Sequence, residues 1–197
     1  MYKVDRQSFG ADLVGLEQKD HRLRVALSSS YWPLVWPSPE AATLTVYEGV
    51  LELPLRGSGT GDEWRFAAPE AAAAWQTETL REPSHKRETS RDPRTGVVTL
   101  EIVDDFGEVR DSDHGLATGS VGRESWSIDP ADPLSAHGTT HWTESLSRSG
   151  WSVHTETYTA MRSDAKNFHV SGRIEAFEGS KLVFSREFEE VIPRHCV

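Results

Sequence analysis

From residue 97 onward the side chains alternate with a period of two, and that alternation restricts what the chain can fold into. Val98, Leu100 and Ile102 alternate with Thr99 and Glu101. Trp126 and Ile128 end a second such run, and Trp142 and Leu146 mark a third. Trp151, Val153, Thr155, Thr157, Thr159 and Met161 share one parity, as do Phe168, Val170, Gly172, Ile174 and Ala176; Leu182, Phe184 and Phe188 complete the series. A period of two sends successive side chains to opposite faces of a pleated strand. The separators are turn-like: Asp104-Asp105-Phe106-Gly107, Ser147-Arg148-Ser149-Gly150, Ser163-Asp164-Ala165-Lys166 and Glu178-Gly179-Ser180. Short separators make consecutive strands neighbours, hence antiparallel. One apolar and one polar parity describe a sheet wetted on one side, which must curl or pack to cover the other. The expected fold class is all-β, an antiparallel sandwich or curled meander of strands around ten residues long.

The first half is more broken. His21–Ser30 reads as a half-buried strand, with Leu23, Val25 and Leu27 on one side and Arg22, Arg24 and Ala26 on the other. It runs into Tyr31-Trp32-Pro33-Leu34-Val35-Trp36-Pro37-Ser38-Pro39, where three prolines in seven residues forbid regular pairing. Thr43–Leu53 reads as another strand, Leu44 and Val46 alternating with Thr43 and Thr45. Residues 54–96 read as a connector: the flexible Gly57-Ser58-Gly59-Thr60-Gly61, a short helix at Pro69-Glu70 followed by Ala71–Trp75, then the charged Arg81–Arg94.

A chain of 197 residues is one domain or two small ones and can bury a core without staples. The net charge of −10 is spread along it, with 8 Lys/Arg against 12 Asp/Glu up to residue 84 and 13 against 19 beyond. A diffuse acidic surface repels phosphate backbones and anionic lipid, which argues against nucleic-acid and membrane partners. A single thiol, Cys196, cannot form an internal disulfide and fits a reducing compartment. No apolar run approaches the length of a spanning helix, and Met1–Gly10 lacks a signal-peptide layout. The expected localisation is cytoplasmic.

The chemistry-bearing motifs are weak. No G-x-S-x-G occurs, so the nucleophile elbow of α/β-hydrolases is missing. His137 and His141 have H-x-x-x-H spacing but lie in a strand-like run, where four residues span roughly 13 Å. Two imidazoles that far apart cannot share a zinc ion, which each would have to approach to about 2 Å. His154 and Glu156 fall on one strand face, where the plain reading is two solvent-facing polar residues. The Gly57–Gly61 stretch has no Lys-Ser/Thr after it, as a phosphate loop would. Asp104-Asp105 sits at a turn signal. Neither a catalytic residue, a metal nor a cofactor is expected. The most informative segment is the proline-fixed loop. Its Tyr31, Trp32 and Trp36 form a rigid aromatic surface that either caps the edge of the β structure or packs on a neighbouring domain or ligand.

His21-Arg22-Leu23-Arg24-Val25-Ala26-Leu27-Ser28-Ser29-Ser30-Tyr31-Trp32-Pro33 resembles a run, GHRLRLxISSSxxP, near the end of the C-terminal jelly roll of the CocE/NonD hydrolases. That group contains cocaine esterase-like and X-Pro dipeptidyl-peptidase-like serine hydrolases. In one subgroup the run continues YWPLxWPSPEPxTLTL, which residues 31–46 resemble closely, and a further β extension follows. Asp132–Ala136, Tyr158-Thr159 and Phe184–Arg186 through Ile192–Arg194 are similar to that extension. The resemblance implies the end of a galactose-binding-like jelly roll in residues 1–53, the connector in 54–96 and a β-meander in 97–197. In the family a preceding α/β-hydrolase domain supplies the Ser-Asp-His triad, and no such domain is in this sequence, so no catalytic residue carries over. The expected function is therefore a non-catalytic β domain that packs on a separate α/β-hydrolase domain or subunit and shapes its site. Two alternatives come from other classes. One is a free-standing module enclosing a small apolar ligand among Trp142, Trp151, Phe168 and Ile174. The other is a structural unit self-associating through sheet edges.

Overall fold

The computed structural model describes residues 27–28, 31–40, 43–50, 52 and 66–195. The Gly57–Gly61 stretch, Cys196 and all of the expected strand His21–Ser30 except Leu27 and Ser28 lie outside them. Among the described residues there are eight strands: β1 (Thr77–Arg81), β2 (Ser84–Arg91), β3 (Val98–Asp111), β4 (Ala117–Asp129), β5 (Asp132–Arg148), β6 (Trp151–Ser163), β7 (Asn167–Glu178) and β8 (Lys181–Pro193). They form one antiparallel sheet in the order β1-β3-β4-β5-β6-β7-β8, with β2 also on β3. Each strand from β3 onward lies beside its sequence neighbour, the meander that short separators dictate. No described helix is long and apolar enough to cross a membrane.

β1 pairs with the Glu108–Asp111 end of β3 and β2 with its Val98–Asp105 end. Together they act as one edge strand, broken at Glu82-Pro83. The break faces the segment where the expected Asp104–Gly107 turn does not form. β3 instead runs 14 residues straight through it and absorbs the turn-forming residues as a bulge, its register against β4 slipping between Asp105 and Glu108. Gly107 adopts φ +80°, and a Cβ there would sit 2.6 Å from the Arg81 carbonyl oxygen. Asp105 accepts the Gly107 N–H at 2.8 Å and also pairs with the Arg81 guanidinium. The same Asp side chain that would cap a turn thus fastens a kink.

Two further expectations fail. Pro69–Trp75 carries no helix. One alanine-rich turn is too short to offset helix nucleation, and Trp75 is held elsewhere: its Nε1 donates to Asp111 Oδ2 at 2.5 Å, while Ser112 N–H donates to the Gln76 carbonyl at 3.0 Å. Across 43–50 no strand pairing occurs, and Leu44, Val46, Tyr47 and Val50 stay exposed; alternation without a partner ladder makes no sheet. Conversely, the charged Arg81–Arg94 stretch contributes β2, whose residues are all exposed, as an outer edge tolerates.

Register assigns the faces. Leu100, Trp126, Gly138, Met161 and Val170 form one row across β3 to β7, and Gly122, Trp142, Thr157 and Ile174 form another on the same side. On this apolar face tryptophans lie across glycines of the neighbouring strand. A Cβ at Gly138 would come within 2.4 Å of Trp126 Cζ3, and one at Gly122 within 2.7 Å of Trp142 Cζ2. The glycines surrender strand propensity, and the rings shield the bared backbone in return.

Gly138→Ala is expected to lower stability by about 1–3 kcal/mol through overpacking. In a Trp126→Ala background the same substitution is expected to cost almost nothing. Urea denaturation of the four chains reads the cycle, and an equal cost in both backgrounds would show that the ring is not the obstacle.

Candidate functional site

The apolar face is crossed at one corner by the proline-fixed segment. Val35 N–H donates to the Tyr31 carbonyl at 2.8 Å, closing a tight loop. Trp32 packs edge-on against Trp36, centroids 4.9 Å apart, and against Trp126 at 5.8 Å. Trp36 meets Phe168 edge-on at 6.0 Å and donates Nε1–H to Ser163 Oγ at 2.8 Å. Arg194, just past β8, fastens the segment: its guanidinium donates to the Pro37 carbonyl at 2.5 Å and to Ser163 Oγ at 3.1 Å, and lies 4.7 Å over the Phe168 ring. Burial lowers the pKa of this guanidinium. Of the three aromatic residues singled out in the sequence, Trp32 and Trp36 are half-buried against the chain's own sheet. Tyr31 stays open at 64% exposure.

The same corner brings Ser163, Asp164 and His169 together without wiring them for nucleophilic attack. Ser163 is buried, and its oxygen accepts from Trp36 and Arg194. The histidine bonds the acid: His169 Nε2 lies 2.7 Å from Asp164 Oδ2. That bond, together with the Lys166 and Asn167 N–H groups, holds the Asp164 carboxyl far below the usual carboxylate range. Among the described residues no serine hydroxyl hydrogen-bonds a histidine ring, and a triad is defined by that geometry.

The opposite face carries a groove of about 540 Å³ that draws lining from β3 through β8. Ser125, Thr139, Ala160 and Ser171 line it as one row, with Glu101 and Glu189 at either end of that row. The adjacent row is Arg123, His141, Tyr158, Arg173 and Glu187. Tyr158 lies between planar neighbours, the His141 ring parallel at 4.3 Å and the Arg173 guanidinium at 4.5 Å from its centroid. His141 Nε2 pairs with Glu156, which also accepts from Thr143 Oγ1 at 3.0 Å. Such a lining suits polar, charged groups. Trp142, Trp151, Phe168 and Ile174, the residues considered for an apolar cavity, all belong to the other face.

The stacked row escaped the sequence reading. Its signal is three planar side chains of one parity on three consecutive strands, visible only once the register is known. His154 and Glu156 do share this face, yet Glu156 bonds His141 of the neighbouring strand, and His154 stacks on Phe177 at 4.5 Å. His137 and His141 lie four apart on β5. No group of three His, Cys, Asp or Glu residues is placed to hold a metal ion among the described residues. Comparison of the chain with family models, curated proteins and solved structures returned no match.

The Asp164 pairing makes stability pH-dependent. Its folded-state pKa lies below the ordinary 3.8, so the stabilisation is fully present above that value and is lost as the pH falls through and beneath it. Asp105, held mainly by the Gly107 N–H, and Asp111, held mainly by Trp75, shift the same way. Asp164→Asn is expected to make the acid side of the stability-against-pH curve shallower. Denaturant titrations at a series of pH values measure it.

Proposed function

We propose that this chain is a non-catalytic β region of a CocE/NonD-type serine hydrolase, seated through its apolar face on a separate α/β-hydrolase domain or subunit whose site it helps to shape. The observation that carries the reading is that, among the described residues, little covers the apolar face. Among the described residues the buried apolar side chains are Pro37, Leu100, Ala117 and Ala136, while Phe106, Trp151, Phe184, Phe188 and Ile192 remain open on or beside that face. A contiguous apolar surface rimmed by polar residues is what a protein partner covers. The sequence resemblance of residues 21–46 supports the class of partner. No described Ser–His bond offers the chain a nucleophile of its own. A free-standing module for a small apolar ligand gains no support from a groove with a charged lining.

Purified chain is expected to hydrolyse neither nitrophenyl esters nor X-Pro amides and to take no label from a serine-reactive phosphonate. Mixed with a CocE/NonD-type α/β-hydrolase domain that lacks its own C-terminal region, it is expected to form a complex by size-exclusion chromatography. Exchanging Phe106 and Trp151 for serine is expected to weaken that complex. Turnover by the chain alone, or no complex with such a domain, overturns the reading.

A further inference from the structure

The two borders of the sheet are built differently. The β1/β2 border is interrupted at Glu82-Pro83, which divides it into runs of 5 and 8 residues, a device that keeps sheet edges from pairing. The β8 border has none of the interruptions. It runs from Lys181 to Pro193, its one irregularity a register shift near Val183, and every residue on it is exposed. Among the described residues β8 pairs with β7 alone. Its outer N–H and C=O groups therefore offer a ready ladder.

We propose that β8 pairs with β8 of a second copy of this chain, antiparallel and centred on Phe188, joining two sheets into one. The strand register selects this arrangement. Phe184, Arg186, Phe188, Glu190 and Ile192 share the apolar face, and Ser185, Glu187, Glu189 and Val191 share the other. A two-fold axis normal to the sheet must keep like faces together, so it passes through a residue and pairs positions of equal parity. Centred on Phe188, it sets Phe188 against itself, Arg186 against Glu190 twice, and Phe184 against Ile192 twice. Centred on Arg186 it would oppose two arginines; centred on Glu187, Glu189 or Glu190, two glutamates. Neither Arg186 nor Glu190 has an ion-pair partner among the described residues. The Arg186 guanidinium already lies over the Phe188 ring, 4.7 Å from its centroid. Phe184, Phe188 and Ile192 are 49%, 45% and 49% exposed, surface that the pairing would cover. One pairing, made twice, opposes it: on the groove face Glu187 meets Glu189 of the other copy, with Arg173 of β7 beside Glu187. That repulsion is itself diagnostic.

The pairing uses the backbone ladder of the border, while Phe184, Phe188 and Ile192 also belong to the face assigned to the hydrolase partner; self-association of the chain alone is read without that partner, so the two readings fail separately. The test is sedimentation equilibrium of the full chain over a wide concentration range, with circular dichroism to confirm that each variant is folded. Wild type is expected to dimerise reversibly. Arg186→Glu and Glu190→Arg, each placing like charges opposite twice, are expected to raise the dimer Kd by about tenfold. The double variant restores opposite charges and is expected to return Kd to near the wild-type value. Glu189→Lys, which turns the two repulsive contacts into attractive ones, is expected to tighten the dimer. A wild-type chain that stays monomeric throughout overturns the proposal. So does a dimer indifferent to both single reversals, or a double variant no tighter than either single one.

Discussion

The backbone ladder between neighbouring strands carries this protein. A two-layer β fold stabilises itself by the side chains trapped between its layers. Here one sheet holds the eight strands of the described residues, and among those residues strand-to-strand contacts run between its neighbours alone. Stability then depends on keeping register over strands of 12 to 17 residues, because a slip of one residue would exchange the two faces. Aspartates at the turns pin that register. Asp92 accepts N–H groups of Arg94 and Thr95 at 2.7 and 3.2 Å, Asp111 those of Asp113 and His114 at 2.8 and 3.1 Å, and Asp164 those of Lys166 and Asn167 at 2.7 and 2.8 Å. In the loop begun by Asp111 the chain then reverses through Gly115, at φ +70°.

The two faces divide the labour. On one, tryptophans cover glycines of adjacent strands, and the Tyr31–Pro39 segment lays two more tryptophans over a corner. On the other, charge and hydroxyl groups line a shallow hollow, and planar side chains stack from strand to strand at about the inter-strand spacing. A stack of this kind stiffens the ladder laterally, since moving β6 relative to β5 or β7 would separate Tyr158 from His141 or Arg173.

Much of this architecture was legible from alternation. The parity of Trp151 to Met161 and of Phe168 to Ala176 assigns their faces correctly, and the short separators imply the meander. What misled was local chemistry without tertiary context. Asp104-Asp105-Phe106-Gly107 has turn composition, yet the same carboxylate-to-backbone bond serves a bulge when an edge strand breaks opposite it. Ala71–Ala74 has helical propensity, but Trp75 is claimed by Asp111. Thr43–Val50 alternates with no neighbour to pair with. At the candidate site, Trp32 and Trp36 stood out because the prolines around them fix the loop and make its aromatic surface rigid. The His141, Tyr158 and Arg173 row did not, because nothing in a one-dimensional string aligns three residues drawn from three strands.

The kink at Gly107 reaches beyond its own neighbourhood. Opposite it the outermost strand stops and restarts at Glu82-Pro83, which leaves that rim in two runs of 5 and 8 residues where the other rim has one of 13. A sheet with two open rims can be extended without limit, which is how fibres grow. A sheet with one blunted rim has a terminus built in, so any growth that begins on its other side ends after a single addition.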